Sequence, residues 1–417
     1  MTRDGPHRRE RALVVAVSAF PVHPRTFGGQ LRAFHLARQL ASLVDVRFVS
    51  LTEPRMPSGH HDLGGGVTET VVAKSREQHE LERDASGRAR AEVGDILAAT
   101  LTEQTPEYGA VLAGATAGAS AVLLAGPWLL PSVRSASPDV RVVYDAHNAE
   151  LRHKRSVLPE STERARLLDL VHDVEGQACA EAVLVGAPLE RDVDALCEDY
   201  GTPRQQVLVV PNAADVDGIP FTTGDERRRR RRRWLDHAGV VRRGDERALV
   251  LFIGSNHAPN VEAAEWLVDL AGRMPDSTFV VAGGVCEAYG RAALPDNMLV
   301  AGWISDRVKQ ALLASATVAL NPIRSGYGSN VKAPECLAAG LPLITTPFGA
   351  RGLPLVGGAH ATICELDDFE RAIAGLRADP SGADAIASCG RALADTTFSW
   401  AAVTREWCDR VAAIVRA

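Results

Sequence analysis

The sequence predicts an α/β protein made of two open, doubly wound domains, and three observations carry that prediction. The chain has 417 residues, too many for one ordinary core, so two domains of about 200 residues are the default. Continuous apolar runs rich in β-branched residues, such as ALVVAVS at 12–18 and LVLFIG at 249–254, mark parallel strands covered on both faces. Those runs alternate with segments of helical spacing in two successive series, separated by a strongly charged stretch at 222–246. Alternation of this kind builds a parallel sheet with helices on both sides.

Composition narrows the class. Hydrophobic content of 46% and charged content of 24% are those of a globular protein. A net charge of -6 argues against general nucleic-acid binding. The seven cysteines are scattered, with no C-x-x-C pair; this fits reduced thiols and offers no zinc site. The start, MTRDGPHRRER, is charged without a following signal core, and no stretch approaches the roughly 20 apolar residues that span a bilayer. A cytoplasmic protein without a transmembrane segment is expected.

In the first half, strand 12–18 leads through FPVHPRTFGGQ into LRAFHLARQLASL, whose apolar residues recur at helical spacing, and then to strand 46–51. Gly28 and Gly29 lie at the C-terminal end of the first strand, with no G-x-G-x-x-G fingerprint. Residues 53–65 read as a polar loop and 74–102 as helical. Strands are expected at 121–125 and 140–145, the second running into AHNAELRHKR. His147 therefore sits just past a strand end, where open α/β sheets bind ligands. A helix at 160–180 and strands at 182–186 and 207–210 complete this half, and the boundary is placed near residue 216. Seven consecutive arginines, Arg227 to Arg233, follow Asp225 and Glu226; they read as a solvated helix between the domains.

The second half repeats the class: strand LVLFIG, helix NVEAAEWLVDLAGRM, strands TFVVAGG and MLVAGW, helix DRVKQALLASA and strand VALNP. It leads to PIRSGYGSNVKAPECLAAGLPLITT and a helical tail in which Trp400, Val403, Trp407 and Val411 share a face. Three loop ends converge at the C-terminal edge of this sheet: Gly254-Ser255-Asn256-His257, Gly283-Gly284 and Gly302-Trp303-Ile304. Gly326 and Gly328 let a backbone approach a ligand closely. The N–H groups of Gly328, Ser329 and Asn330, flanked by Tyr327 and Val331, can point at an anion. Lys332 adds a full charge beside a diphosphate, and Glu335 stands where a carboxylate accepts ribose hydroxyls. No Walker A motif exists in the chain.

These segments carry a resemblance. FIGSNHAPNVEAAEWL, the AGW loop, GSNVKAPECLAAGLPLITT and the FSW tail resemble the C-terminal domain of GT-B glycosyltransferases, and are most similar to family 4 of the retaining sugar-nucleotide enzymes. The GG loop, YDAHN and VVPNAAD agree in the first half, so the resemblance spans nearly the whole chain. It implies two Rossmann-like α/β/α domains facing a central cleft: 1–215 for the acceptor, 216–395 for the donor nucleotide, and a C-terminal helix, 396–417, crossing back to the first domain. It implies a donor site of Gly254, Ser255, Asn256, Gly302, Trp303, Ile304, Gly326 through Lys332, and Glu335. Catalytic positions are His147 at the donor sugar, Lys332 at the diphosphate and Glu335 at the ribose. Gly28, Gly29, Gln30, His147 and Asn148 line the acceptor side of the cleft.

Two departures stand out. Family members often carry a glutamate eight positions before the one matched by Glu335, where this chain has Tyr327; many carry a basic pair where it has Ser255, Asn256 and His257. A subgroup reads G-x-G-x-x-x-K-x-x-E, which Gly326, Gly328, Lys332 and Glu335 match. Pro334 either starts the following helix or bends it. The expected activity is transfer of a sugar from a nucleoside diphosphate, UDP or GDP, to a hydroxyl, amine or thiol of a small molecule or glycan. Neither a metal nor a further cofactor is expected, and the protein acts as a monomer or homodimer. An epimerase or phosphorylase on the same fold, or a binding protein without catalysis, are the competing readings.

Overall fold

The computed structural model describes residues 11–24, 27–237, 247–290, 293–326 and 332–417. These residues divide into two units, one within Met1–Pro211 and Thr404–Ala417, the other Asn212–Val403.

The first unit is built on eight strands: β1 (Leu13–Ser18), β2 (Asp45–Thr52), β3 (Gly59–Gly64), β4 (Val67–Ala73), β5 (Ala121–Ala125), β6 (Val142–Asp145), β7 (Ala182–Ala187) and β8 (Val207–Val209). Their order is β3-β4-β2-β1-β5-β6-β7-β8, and every pair is parallel except the hairpin β3–β4. Central β1 is buried almost throughout, which is why its sequence is an unbroken apolar run rather than an alternation. The chain reverses between β1 and its two neighbours, β2 and β5, so loops at the C-terminal edge splay apart around it.

Strand β3 corrects the expectation of a loop over 53–65. GHHDLG exposes His60, His61 and Asp62, so no apolar pattern announces it. It pairs only with β4, at the sheet edge, through a turn in which Gly64, Gly65 and Gly66 all have positive φ. The helical stretch expected over 74–102 is two helices, Arg76–Ala89 and Gly94–Leu101. Ser75 caps the first, accepting from the Gln78 N–H at 3.0 Å, and Arg90 in the left-handed region ends it.

The second unit carries β9 (Ala248–Ile253), β10 (Ser277–Ala282), β11 (Met298–Val300), β12 (Val318–Asn321), β13 (Leu343–Thr345) and β14 (Thr362–Ile363). They form an all-parallel sheet of order β11-β10-β9-β12-β13-β14. Apolar clusters fill both of its faces, one around Leu249, Leu251 and Leu337 and the other around Phe252, Phe279 and Phe369.

The arginine run lies in the helix Gly224–His237. Arg228 and Arg230 pair with Asp225 and Glu226 one turn earlier, as a solvated helix does. Arg227 departs from that expectation: it is 4% exposed. The tail is not one continuous face. Trp400–Val403 belongs to the second unit and Arg405–Arg416 to the first. There Trp407 is fully buried on Gly186 of β7, where an added Cβ would lie 2.8 Å from the indole. Arg141 donates to the Ile414 carbonyl at 2.6 Å beside it.

Candidate active site

In the second unit the loops following β9, β10 and β11 are stitched together by main-chain bonds. Gly254 N–H donates to Ala282 O (2.9 Å), Val285 N–H to Gly254 O (3.0 Å), and Gly283 N–H to Gly302 O (2.7 Å). The join requires glycine at 283: its φ is +93°, and a Cβ there would sit 2.3 Å from Gly254 O. On this platform the Glu287 carboxylate accepts from Asn256 Nδ2 (3.0 Å) and Trp303 Nε1 (3.2 Å). The Trp303 ring, 63% exposed, is thereby fixed at the sheet's C-terminal edge. Ile304 is partly buried against the core.

Between β12 and β13 runs the short helix Lys332–Ala338. Gly326 turns the chain toward it at φ +100°, and a Cβ there would lie 2.4 Å from Cγ of Pro259. Tyr327, Gly328, Ser329, Asn330 and Val331, expected to cradle an anion, lie outside the described residues. Pro334 falls in the helix's first turn, where its missing N–H costs nothing.

Lys332 points back toward β9. Its Nζ donates to Asn260 Oδ1 at 2.6 Å and lies 4.7 Å from the centre of the Phe252 ring. Asn260 in turn donates from Nδ2 to the Ser255 carbonyl (3.0 Å) and hydroxyl (3.1 Å). One amide therefore ties Lys332 to the loop after β9, where a basic pair was expected on family grounds. Burial pushes the Lys332 ammonium down to about 8.

Glu335 meets Lys309 of the helix Asp306–Leu313, with Nζ 2.9 Å from Oε1 and the two side chains 22% and 20% exposed. Burial alone would lower the lysine's proton affinity, yet the Glu335 charge and hydrogen bond raise it overall. Arg227 braces both helices from behind. Its guanidinium donates to Leu313 O at the end of one, and to Ala339 O (2.8 Å) and Gly340 O (2.9 Å) at the end of the other. It fills orphan carbonyls with a cation at the negative end of two helix dipoles. Lys309, Glu287, Asn260 and Arg227 are absent from the sequence-based site. Each has a partner at least 16 positions away in the chain, and no one-dimensional spacing marks such pairs.

In the first unit Asp145, at the end of β6, is buried and gripped by Arg32. Nε lies 2.9 and 3.1 Å from the two carboxylate oxygens and Nη2 2.6 Å from Oδ1. Nη1 reaches Val210 O at 2.7 Å. Burial is the largest influence and acts to raise the Asp145 carboxyl, but the Arg32 charge and hydrogen bond together with His147 outweigh it and hold the group below the usual aspartate range. His147 stands over this pair with Nε2 3.5 Å from Oδ2, within ion-pair reach but too long for a good hydrogen bond. Its ring neighbours Phe20, and a Cβ on Gly29 would lie 3.3 Å from its Nδ1. Gly28 and Gly29 open the helix Gly28–Leu40. Gln30 is buried; it accepts from the Phe27 N–H at 3.2 Å and donates to Pro21 O at 2.7 Å, so it holds the preceding loop. Asn148 donates to Glu150 at 3.2 Å. Glu175, an acid on the buried face of the helix Arg164–Glu181, caps the preceding helix, Glu150–Val157, by accepting from Glu150 and Leu151 N–H at 2.7 and 2.9 Å.

The geometry of the second unit meets its counterpart among known proteins. Residues 247–379 match the family model of glycosyl transferases group 1. The matched stretch lies inside the second unit and contains Asn260, Lys309, Lys332 and Glu335. No curated protein sequence matches the chain. Among solved structures, the chain resembles HepE of Anabaena in complex with UDP, at 13% identity and a TM-score of 0.65, covering 97% of this chain and 100% of that one. It also resembles sucrose-phosphate synthase of Thermosynechococcus elongatus, at 14% identity, TM-score 0.72, 97% and 100% covered. The catalytic domain of starch synthase IV from Arabidopsis thaliana, bound to ADP and acarbose, aligns at 10% identity, TM-score 0.68, 98% and 100% covered. At such identities the likeness establishes the fold, which is GT-B.

Proposed function

We propose that the protein transfers a sugar from a nucleoside diphosphate sugar to an acceptor, with its second unit holding the donor. The observation that carries this reading is the placement of Lys332 and Glu335 on one short helix inside the matched stretch. One end of that helix presents an ammonium steadied by Asn260, and one turn on is a carboxylate paired with Lys309. In this reading Lys332 offsets the charge that develops on the departing diphosphate. Glu335 accepts the ribose hydroxyls, with Lys309 holding it in place. Trp303 and the backbone of Ile304 border the base. His147, steadied by Asp145, serves the sugar-transfer step from the first unit, which takes the acceptor. Retention of configuration and the absence of any further cofactor follow from the family resemblance. UDP is the first donor base to test, because the HepE structures hold UDP and UDP-glucose. Among the described residues no helix is long and apolar enough to cross a membrane; we place the reaction in the cytoplasm.

The test is calorimetric titration with UDP, GDP and ADP, followed by an assay for nucleoside diphosphate release in the presence of acceptor. Lys332→Ala and Glu335→Ala should each weaken the preferred diphosphate by at least about tenfold, or 1.4 kcal/mol. Unchanged affinity in both variants would remove the assignment.

A further inference from the structure

The first unit holds a groove that none of the chemistry above uses. It runs between the loop after β2 and the helix Arg76–Ala89, has a volume of about 540 Å³, and is lined by Glu53, Pro54, Arg55, Arg76, His79, Glu80 and Arg83. Small-molecule sites measure about 300–1,000 Å³. Residues 76, 79, 80 and 83 recur at the spacing of one helix face, so a single stripe of the helix forms one wall. The opposite wall, 53–55, begins at the C-terminal end of β2, two residues past Thr52 at its centre. That is the edge at which open α/β sheets bind ligands, and β2 neighbours β1, whose loop leads to Gly29 beside His147.

The charges in the groove are unevenly matched. Three arginines face two glutamates. Glu53 is already engaged by Lys74 Nζ at 3.0 Å and His79 Nδ1 at 2.6 Å. Glu80 is engaged by Arg76 at 2.8 Å. Among the described residues Arg83 has only its sequence neighbour Asp84 within ion-pair distance, at 3.8 Å, and Arg55 has no carboxylate there. One guanidinium is thus left over, and a second is held only by a long pair, in a chain whose net charge is -6. A guanidinium binds the oxygens of a phosphate in pairs and holds it better than an ammonium does.

We propose that this groove binds a phosphate monoester carried by the acceptor, with Arg55 and Arg83 as the phosphate ligands. The word acceptor rests on the transferase reading; the affinity of the groove for phosphate does not. The phosphate can belong to a soluble sugar phosphate or to a lipid head group, and the experiment separates them.

The full chain is titrated with glucose 6-phosphate, with glucose, and with phosphatidylcholine vesicles with and without phosphatidic acid, at low salt. UDP is titrated in parallel. We expect a phosphate-bearing probe to bind at least about tenfold more tightly than its neutral counterpart, with the preference falling as salt is raised. Arg55→Ala/Arg83→Ala should abolish that preference and leave UDP affinity unchanged. Arg55→Lys/Arg83→Lys should retain part of it. Both residues are exposed, and a circular dichroism melt identifies any variant that fails to fold. Binding of glucose 6-phosphate alone identifies a soluble phosphoacceptor, and binding of the doped vesicles alone a lipid one. Equal affinity for glucose and glucose 6-phosphate without vesicle binding, or a preference that survives the double alanine variant, overturns the proposal. Phosphate binding without UDP binding would sink the transferase reading and leave the groove standing; the converse would sink the groove alone.

Discussion

Lys332 Nζ and Asn260 Oδ1 lie 2.6 Å apart, and the amide that accepts this proton also donates to Ser255. A neutral partner holds the cation in place without neutralising it. Its charge remains available to a diphosphate, while the low polarity around it makes that charge expensive in the empty site.

Two opposite pH dependences should result. The ammonium titrates near 8 rather than its ordinary 10.5, so the cation is lost as pH rises through 8. Nucleoside diphosphate affinity should be flat below pH 7 and fall by up to about tenfold per unit above 8. Stability of the nucleotide-free protein should move the other way. The unfolded chain keeps the Lys332 proton up to about 10.5, so this group makes unfolding harder as pH rises from 8 toward 10.5. Calorimetry and denaturant titration across pH 6.5–10 measure the two limbs. In Lys332→Met both should disappear.

Asn260→Asp places a carboxylate against the ammonium. It should shift the affinity limb to higher pH while lowering affinity at neutral pH, because the new charge competes with the diphosphate. Asn260→Ala should weaken binding by about 1.5–3 kcal/mol, the worth of a hydrogen bond to a charged group, with little effect on the melting of the first unit. A uniform loss of stability with no change in the pH profile would mean that Asn260 serves only the fold.

Removing Arg227 should be costly although it lies far from any ligand in sequence. Arg227→Met keeps the buried stem but abandons the carbonyls of Leu313, Ala339 and Gly340. A destabilisation of about 2–4 kcal/mol is expected, measured by urea unfolding. Arg230→Met, an exposed member of the same run, should change stability by less than about 0.5 kcal/mol. Similar effects from both substitutions would refute the bracing role.

Gly326→Ala should lose about 1–3 kcal/mol, since the position combines φ of +100° with a Cβ contact at 2.4 Å. Pairing it with Pro259→Ala relieves the contact and leaves the backbone strain, so rescue should be partial. Complete rescue would show that the dihedral is not the constraint.

The alternation of strands and helices was legible because central strands such as β1 and β9 are covered on two faces and therefore unbroken in their apolar runs. The β3 hairpin was not, since GHHDLG buries only Leu63 and is defined by its partner. Gly326, Lys332 and Glu335 are recognisable as a spaced set, whereas the Lys309–Glu335 pair spans 26 positions and exists only once the helix Asp306–Leu313 docks. Arg227 illustrates the limit more sharply. Seven identical residues have no internal contrast, so which one turns inward is decided by the helix phase against Leu313 and Gly340 and not by composition.

The helix Arg405–Arg416 has a consequence for how the chain is made. Trp407 fills the space over Gly186, and Arg141 and Arg410 fasten the helix to the first unit through Ile414 and Gln205. As the ribosome works from one end to the other, the first unit emerges early but lacks this piece until residues 405–416 have been made. Throughout that interval the second unit can form complete, while the older half waits with the seat for Trp407 open to water and to chaperones.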